Sequence, residues 1–386
     1  MPKSDNERIY GLDVLRALAI TLVIMSHSAM LVLSDHSGNI YLTFFKFFGA
    51  IGVDLFFVLS GFLIGGILLK HIENGQTELK HIFYFWIRRW FRTLPNYFLI
   101  LIFNIVLFYI LYGYVVENIE RFFLFLQNFR SPHLEFFPEA WSLSIEEFAY
   151  LIGPFFLLLL VHLFRVKKTS YLFLCITVSV ILISVLSRYL YFLEHSNYLN
   201  GVFSDYSDWS QNIRKVVIYR IDSIYYGFLT VYVSRYFVSV WNKSKYYALI
   251  IGLFMFFGLH AFIWFYSVQP DNYPGFYLIG YLPIVSLSLL MSFPYFSNWK
   301  TGGSLSRYVT RLSKISYSLY LVNFSLIYIP IRYLIDISAL ELYEKLIVLA
   351  VYLIASLVLS DFLYRFYEKP IMNLRNHKSL VKFYND

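Results

Sequence analysis

Cysteine occurs once in 386 residues, at Cys175, which excludes an intramolecular disulfide framework and any multi-cysteine zinc or iron–sulfur centre. Charge is scarce as well. Asp, Glu, Lys and Arg make up 15% of the chain, against about 25% in an average soluble domain. Apolar residues fill the space, at 59% hydrophobic and 21% aromatic, with a mean hydropathy of +0.59. A soluble monomer this apolar would expose large greasy patches, which such proteins rarely do. Disordered segments are poor in aromatics and β-branched residues, so disorder is excluded too. The alternation over ~10 residues that marks a membrane β-barrel is missing. An all-α polytopic membrane protein is the class that remains.

A bilayer core about 30 Å thick needs roughly 20 apolar residues per helix. Ten segments meet that need: 10–33, 44–69, 93–114, 141–164, 170–193, 216–238, 246–266, 274–296, 315–335 and 343–366. The first is long and lacks a small-residue cleavage site, so it reads as a span and not as a cleavable signal. No loop is long enough for a second domain, so 1–386 is expected to be one transmembrane domain. No internal repeat or inverted pair of broken helices is evident.

The formal net charge is +8, and its placement explains it. One side carries Lys3, Arg8, Lys70, Lys80, Arg88, Arg89, Arg92, Arg165, Lys167, Lys168, Arg235, Lys243 and Lys245. It continues with Lys300, Arg307, Arg311, Lys314, Arg365, Lys369, Arg375, Lys378 and Lys382. The alternate loops hold Arg121, Arg130, Arg214, Lys215, Arg332 and Lys345, so the asymmetry is 22 to 6. This predicts that both termini are cytoplasmic. Nucleic acid is not an expected partner; the lipid bilayer is. The two longest outer loops carry Glu117, Glu120, Glu135, Glu139, Glu194, Asp205 and Asp208, with Phe136, Phe137, Tyr198, Tyr206 and Trp209. These either grip a sugar or form an interfacial belt.

A charge at the bilayer centre costs about 2.5–3.5 kcal/mol even on lenient scales, so each one needs a reason. Helix one holds Asp13, Arg16 and His27. The eleven-residue step from Arg16 to His27 turns about 1100°, roughly 20° past three full turns, and rises about 16 Å. Both side chains therefore share one face and form a polar track. Asp54 sits in the apolar run of helix two, must be paired, protonated or hydrated, and has Arg16 as a candidate partner. Gly61 and Gly65 have the spacing of close helix packing. Arg88, Arg89 and Arg92 precede Pro95 and helix three, at the inner mouth, where arginine forks suit phosphates. Glu146 and Glu147 open helix four from the outside and suit proton handling beside His27. Arg220 and Asp222 lie in helix six, and Ser316, Tyr317, Tyr320 and Asn323 in helix nine.

In order, these motifs resemble the acyltransferase-3 family of integral membrane O-acyltransferases. They are Arg16 with His27, GVDLFFVLSGFLI at 52–64, Arg89-x-x-Arg92-x-x-Pro95, WSLSIEE at 141–147, Arg220-x-Asp222 with Gly227, ISYSLYL at 315–321, and Glu368-Lys369-Pro370. The resemblance implies a ten-helix bacterial plasma-membrane protein. Such a protein takes an acyl group, usually acetyl, from cytoplasmic acyl-CoA and passes it to a hydroxyl of a cell-surface glycan or its lipid-linked precursor. Acyl-CoA would be a cosubstrate, with no permanently bound cofactor and no metal. Arg16 and His27 would be the catalytic motif, joined by Glu146, Glu147 and Asp54. Arg89 and Arg92, with Tyr320 and Ser316, would hold the donor.

The resulting scheme has CoA phosphates at Arg89 and Arg92 and the thioester near His27. His27 then serves as base, oriented by Glu146 or Glu147, or is acylated first, as Ser142 could be. Two departures from the family pattern are expected to matter. Asn323 stands where a histidine often follows SYSLYL, and the appended extracytoplasmic hydrolase-like domain of some larger members is not expected here, so the chain either completes transfer alone or depends on a separate partner. A proton-coupled transporter, with Asp54, Arg16, His27 and Glu146 as a relay, is the competing class.

Overall fold

The computed structural model describes residues 8–33, 40–134, 136–164, 169–196 and 201–376. Lys3, Glu135, Arg165, Lys167, Lys168, Tyr198, Lys378 and Lys382 lie outside the described residues. Long apolar runs fold as helices because, in lipid, every backbone donor must find its acceptor within the same segment. The principal helices are α1 (Tyr10–Val32), α2 (Ile40–Glu73), α3 (Leu79–Tyr112), α4 (Ala140–Phe164) and α5 (Thr169–His195). They continue as α6 (Asp222–Tyr236), α7 (Lys245–Phe265), α8 (Leu282–Leu290), α9 (Ser306–Val322) and α10 (Leu342–Leu363). No strand occurs among the described residues.

Among the described residues, eight helices are long and apolar enough to cross a membrane. A ninth span is counted if Tyr206–Arg214 and Val217–Tyr236, bent by 95°, are taken together. The tenth expected span, 315–335, is helical throughout, as α9, the π-turn Asn323–Tyr328 and Ile329–Leu334. Its serines, tyrosines and Asn323 make it too polar to qualify by composition. They point inward, and Ser316, Ser318 and Asn323 are all buried.

The expected start of helix three, at residue 93, needs correction. α3 begins at Leu79 and runs for 34 residues, about 51 Å, so Arg88, Arg89, Arg92 and Pro95 all lie within it. A chain that stops its apolar run at a charge need not stop its helix there if the charge finds a partner inside the protein. Gly113, in the left-handed region at φ 77°, ends the helix.

α1 packs on α2 and α9, and α2 packs on α6. Gly61 and Gly227 make the last crossing possible. A Cβ on Gly61 would lie 1.9 Å from the Ile224 carbonyl oxygen, and one on Gly227 would lie 2.3 Å from that of Val58. α7, by contrast, buries Gly252 alone and presents Phe254, Phe257 and Phe265 outward, as a lipid-facing helix does.

Residues 115–139 do not form a wholly solvated outer loop. Phe122 and Phe137 are fully buried, and the Gln127 and Asn128 amides donate to Ser144 at 2.5 Å and to the Trp141 carbonyl at 2.9 Å. These few side chains pin the segment to the start of α4, where Ala140 is fully buried, while most of 115–134 stays exposed. Phe136, Phe137 and Trp209 are thus core residues and neither a belt nor a sugar platform. Glu117 and Glu120 remain exposed.

Candidate active site

The predicted shared face of Arg16 and His27 meets a single partner run. Arg16 Nη1 donates to Ser313 Oγ in α9 at 3.3 Å, and His27 Nδ1 lies 2.6 Å from Asn323 Oδ1 in the π-turn. The Asn323 amide is oriented by its own surroundings. Its Nδ2 donates to the carbonyls of Leu319 at 2.7 Å and Tyr320 at 2.8 Å, which uses both amide hydrogens. The reverse orientation would set an oxygen against two carbonyl oxygens. Oδ1 therefore faces His27, and it also accepts the Tyr352 hydroxyl at 3.3 Å. An acceptor against Nδ1 requires the Nδ1–H tautomer, so the neutral ring carries its lone pair on Nε2.

Between α1, α2, α3, α4, α6 and α9 lies a cavity of about 790 Å³. Arg8, Arg16, Lys70, Arg89, Arg92 and Arg235 line it against Asp13, Glu73 and Glu146, six cations to three carboxylates. The cations are not equivalent. Arg16 is 3.6 Å from Asp13, which also pairs with Arg8 and accepts the Ser313 hydroxyl at 2.8 Å. Arg89 Nη2 donates to Glu146 at 3.1 Å and to the Tyr150 hydroxyl at 2.7 Å. Among the described residues Arg92 makes no hydrogen bond or ion pair. Arg16 and Arg89, both half-buried, thus have carboxylates in contact, whereas Arg92 feels Glu368 only at longer range, which leaves its donors for an anion.

Ser316 and Tyr320 also line the cavity. Ser316 Oγ donates to the Ser313 carbonyl at 3.0 Å, and the Tyr320 and Ser142 hydroxyls lie 2.8 Å apart. Ser142 also donates to the Glu139 carbonyl at 3.2 Å. Its partners are a phenol and a carbonyl, neither of them a base suited to activating a nucleophile.

Of the nine residues expected to form the site, six line this one cavity: Arg16, Arg89, Arg92, Glu146, Ser316 and Tyr320. Three expectations are corrected. First, Asp54 does not pair with Arg16. It accepts from Arg220 at 2.6 Å and Arg214 at 3.3 Å, with Arg214 also 5.0 Å from the Trp141 ring. Arg188 and Asp222, both fully buried, pair alongside at 2.8 Å.

Second, neither Glu146 nor Glu147 orients His27. Glu146 serves Arg89, Ser60 and Tyr150, and Glu147 accepts the Thr93 hydroxyl at 2.9 Å. Third, Arg89 and Glu146, expected near opposite faces, lie at one depth and pair at 3.1 Å. The relay of Asp54, Arg16, His27 and Glu146 is likewise divided among four separate pairings.

Reading the sequence missed Ser313, Tyr352 and Glu139 as neighbours of the polar track. Asn323 was visible as a departure from SYSLYL-histidine, but its role toward His27 was not. Only the π-turn reveals it.

The acyltransferase-3 family model, described as an acyltransferase domain, matches residues 9–365. The peptidoglycan O-acetyltransferase OatA of Listeria monocytogenes is 35% identical over 164 residues, 38% of this chain and 24% of that protein. A Staphylococcus aureus (strain COL) protein named as an O-acetyltransferase is 27% identical over 403 aligned residues, 94% of this chain and 57% of that protein. A Bacillus subtilis (strain 168) protein named as a peptidoglycan O-acetyltransferase is 32% identical over 206 residues, 48% of this chain and 30% of that protein. The chain thus spans between a quarter and somewhat over half of the length of these curated relatives. No solved structure matches it.

Proposed function

Since the chain belongs to the acyltransferase-3 family, we propose that it is a membrane O-acetyltransferase that takes acetyl from acetyl-CoA and passes it to a hydroxyl of a cell-wall glycan or its lipid-linked precursor. The glycan class follows the names of the relatives, two of which are named for peptidoglycan. The observation that carries the donor reading is the cavity. Its six cations exceed its three carboxylates, and among the described residues Arg92 makes no hydrogen bond or contact ion pair. A CoA phosphate on Arg92, with Arg16 and Arg89 beside it, supplies the missing negative charge. The protein lies in a bacterial plasma membrane with both termini cytoplasmic, so that the cavity receives CoA from within.

The chemistry falls to His27. Tyr320 lines the cavity, and its carbonyl holds Asn323, the residue that orients His27, so one helical turn separates the cavity wall from the base. With Nδ1–H donated to Asn323, Nε2 removes the proton from the acceptor hydroxyl as its oxygen attacks the thioester carbonyl. The C–S bond breaks, and the imidazolium returns the proton to the leaving CoA sulfur. An asparagine partner fixes the tautomer without taking a proton. Direct transfer is favoured over an acyl-Ser142 route because Ser142 has no base. A separate partner protein can complete delivery on the outer face.

The test is CoA release from acetyl-CoA by wild type and His27→Ala in detergent, with and without crude envelope glycan. Release that depends on His27 and rises with glycan is expected. Well-folded wild type that neither binds CoA nor releases it would overturn the assignment.

A further inference from the structure

We propose that Glu139 is a positioning residue for His27, acting through the π-turn that carries Asn323. This inference rests on the reading of His27 as the base. Glu139 immediately precedes α4 and is 4% exposed. Its Oε1 accepts the Ser325 backbone N–H at 2.7 Å, and its Oε2 is enclosed without a partner. Its own carbonyl accepts from Ser142 and, at 3.3 Å, from Tyr320, so its backbone is tied to the wall of the cavity and its carboxyl to the π-turn.

The geometry gives this carboxyl a specific task. A π-turn shifts the hydrogen-bond ladder by one residue and leaves backbone groups to be satisfied from elsewhere. Glu139 meets that need for the N–H of Ser325, while the Asn323 side chain donates to the carbonyls of Tyr320 and of Leu319, which also accepts the Asn323 backbone N–H. Without Glu139, the Ser325 N–H regains a partner if the ladder reverts to α-helical spacing onto Leu321. Asn323 keeps α-helical register with α9, so losing the extra residue turns α9 and Asn323 by about 100° relative to the run that follows. With that run held by its own packing, the strain falls on the Asn323–His27 contact. The carboxyl therefore favours the π-turn, and the π-turn lets Asn323 face the imidazole without strain.

The groups facing Glu139 are Ser325 and Tyr320 from the α9 run, Ser142 from α4, and Tyr352 from α10. Glu139 makes no ion pair among the described residues. Burial pushes its carboxyl up to about 7. A neutral acid or an amide fills the same place as an acceptor for Ser325.

The experiment uses the full chain in detergent with ring-¹⁵N-labelled histidine. The His27 signals, among nine histidines, are assigned by their loss in His27→Ala. Wild type and Glu139→Gln are expected to show a single Nδ1–H tautomer at His27, and Glu139→Ala a mixture. In CoA release, Glu139→Ala should lower kcat by about 10- to 100-fold, the scale of a misplaced catalytic group, with CoA affinity within twofold of wild type. Glu139→Gln should restore most of it. Because the two residues act as one unit, Glu139→Ala/Asn323→Ala should be no slower than Asn323→Ala alone.

A single unchanged His27 tautomer in folded Glu139→Ala would overturn the proposal, as would fully additive losses. If wild type shows no His27-dependent CoA release, the acyltransfer reading fails, and the tautomer spectrum still decides the role of Glu139.

Discussion

Arg89 and Arg92 stand three residues apart on α3, yet their removal should have different consequences. Arg89→Ala strips Glu146 of its cation and the Tyr150 hydroxyl of its donor, at 3.1 and 2.7 Å. Removing one partner of a buried pair costs about 3–5 kcal/mol. Glu146, 14% exposed, keeps the hydroxyls of Ser60 and Tyr150, both at 2.9 Å, so the lower end of that range applies. Arg92→Ala breaks no contact pair and removes only a longer-range attraction to the buried Glu368 carboxylate, so it should cost much less stability than Arg89→Ala. Its loss is functional. A charge-assisted hydrogen bond is worth about 1.5–3 kcal/mol, and about 1.4 kcal/mol is tenfold in affinity. The Kd for CoA should therefore rise by about 10- to 150-fold. Thermal unfolding and CoA titration calorimetry in one detergent separate the two effects, with dephosphorylated CoA identifying which phosphate Arg92 holds. Wild-type CoA affinity in Arg92→Ala, or a fall in its Tm equal to that of Arg89→Ala, would refute the assignment of the free cation.

Three further outcomes are expected. Asp54→Asn leaves Arg220 and Arg214 without their carboxylate and should cost about 3–5 kcal/mol. Combined with Arg16→Ala it should add within about 0.5 kcal/mol, since those two residues are not partners; a strong coupling in the double-mutant unfolding data would contradict this. Gly61→Ala should destabilise by about 1–3 kcal/mol or more, because its Cβ would sit 1.9 Å from the Ile224 oxygen, while Gly66→Ala, with nothing within 4 Å, should have the Tm of wild type. Glu139 binds its proton more tightly in the folded state, at about 7 against an ordinary 4.5. The stability it lends is thus full below about 4.5 and is lost as pH rises through about 7. Wild type should lose Tm across that window relative to Glu139→Gln, and parallel Tm–pH curves would count against it.

The helices themselves were legible in the sequence because a bilayer imposes one local rule, an apolar run long enough to satisfy its own backbone. That rule is read within a single segment, as is the face shared by Arg16 and His27, which needs only the pitch of one helix. Both carried over to the structure. The ends of helices were less legible. α3 continues through three arginines, of which Arg88 is held by Tyr84 within the helix and Arg89 by Glu146 of α4, so a charge that ends an apolar run does not by itself end a helix.

Pairing was decided by tertiary structure alone. Asp54 lies closer in sequence to Arg16 than to Arg220, yet the tight crossing at Gly61 and Gly227 brings α6 to it and leaves Arg16 to Asp13 and Ser313. His27 meets Asn323 at the start of a π-turn, where the Leu319 and Tyr320 carbonyls hold the amide with its oxygen toward the ring. Sequence determined which ionisable groups enter the membrane, and the price of burying them ensured that each would find a reason to be there. Which group answers which depends on the depth and rotation of six helices relative to one another, a property of their packing that no single helix carries.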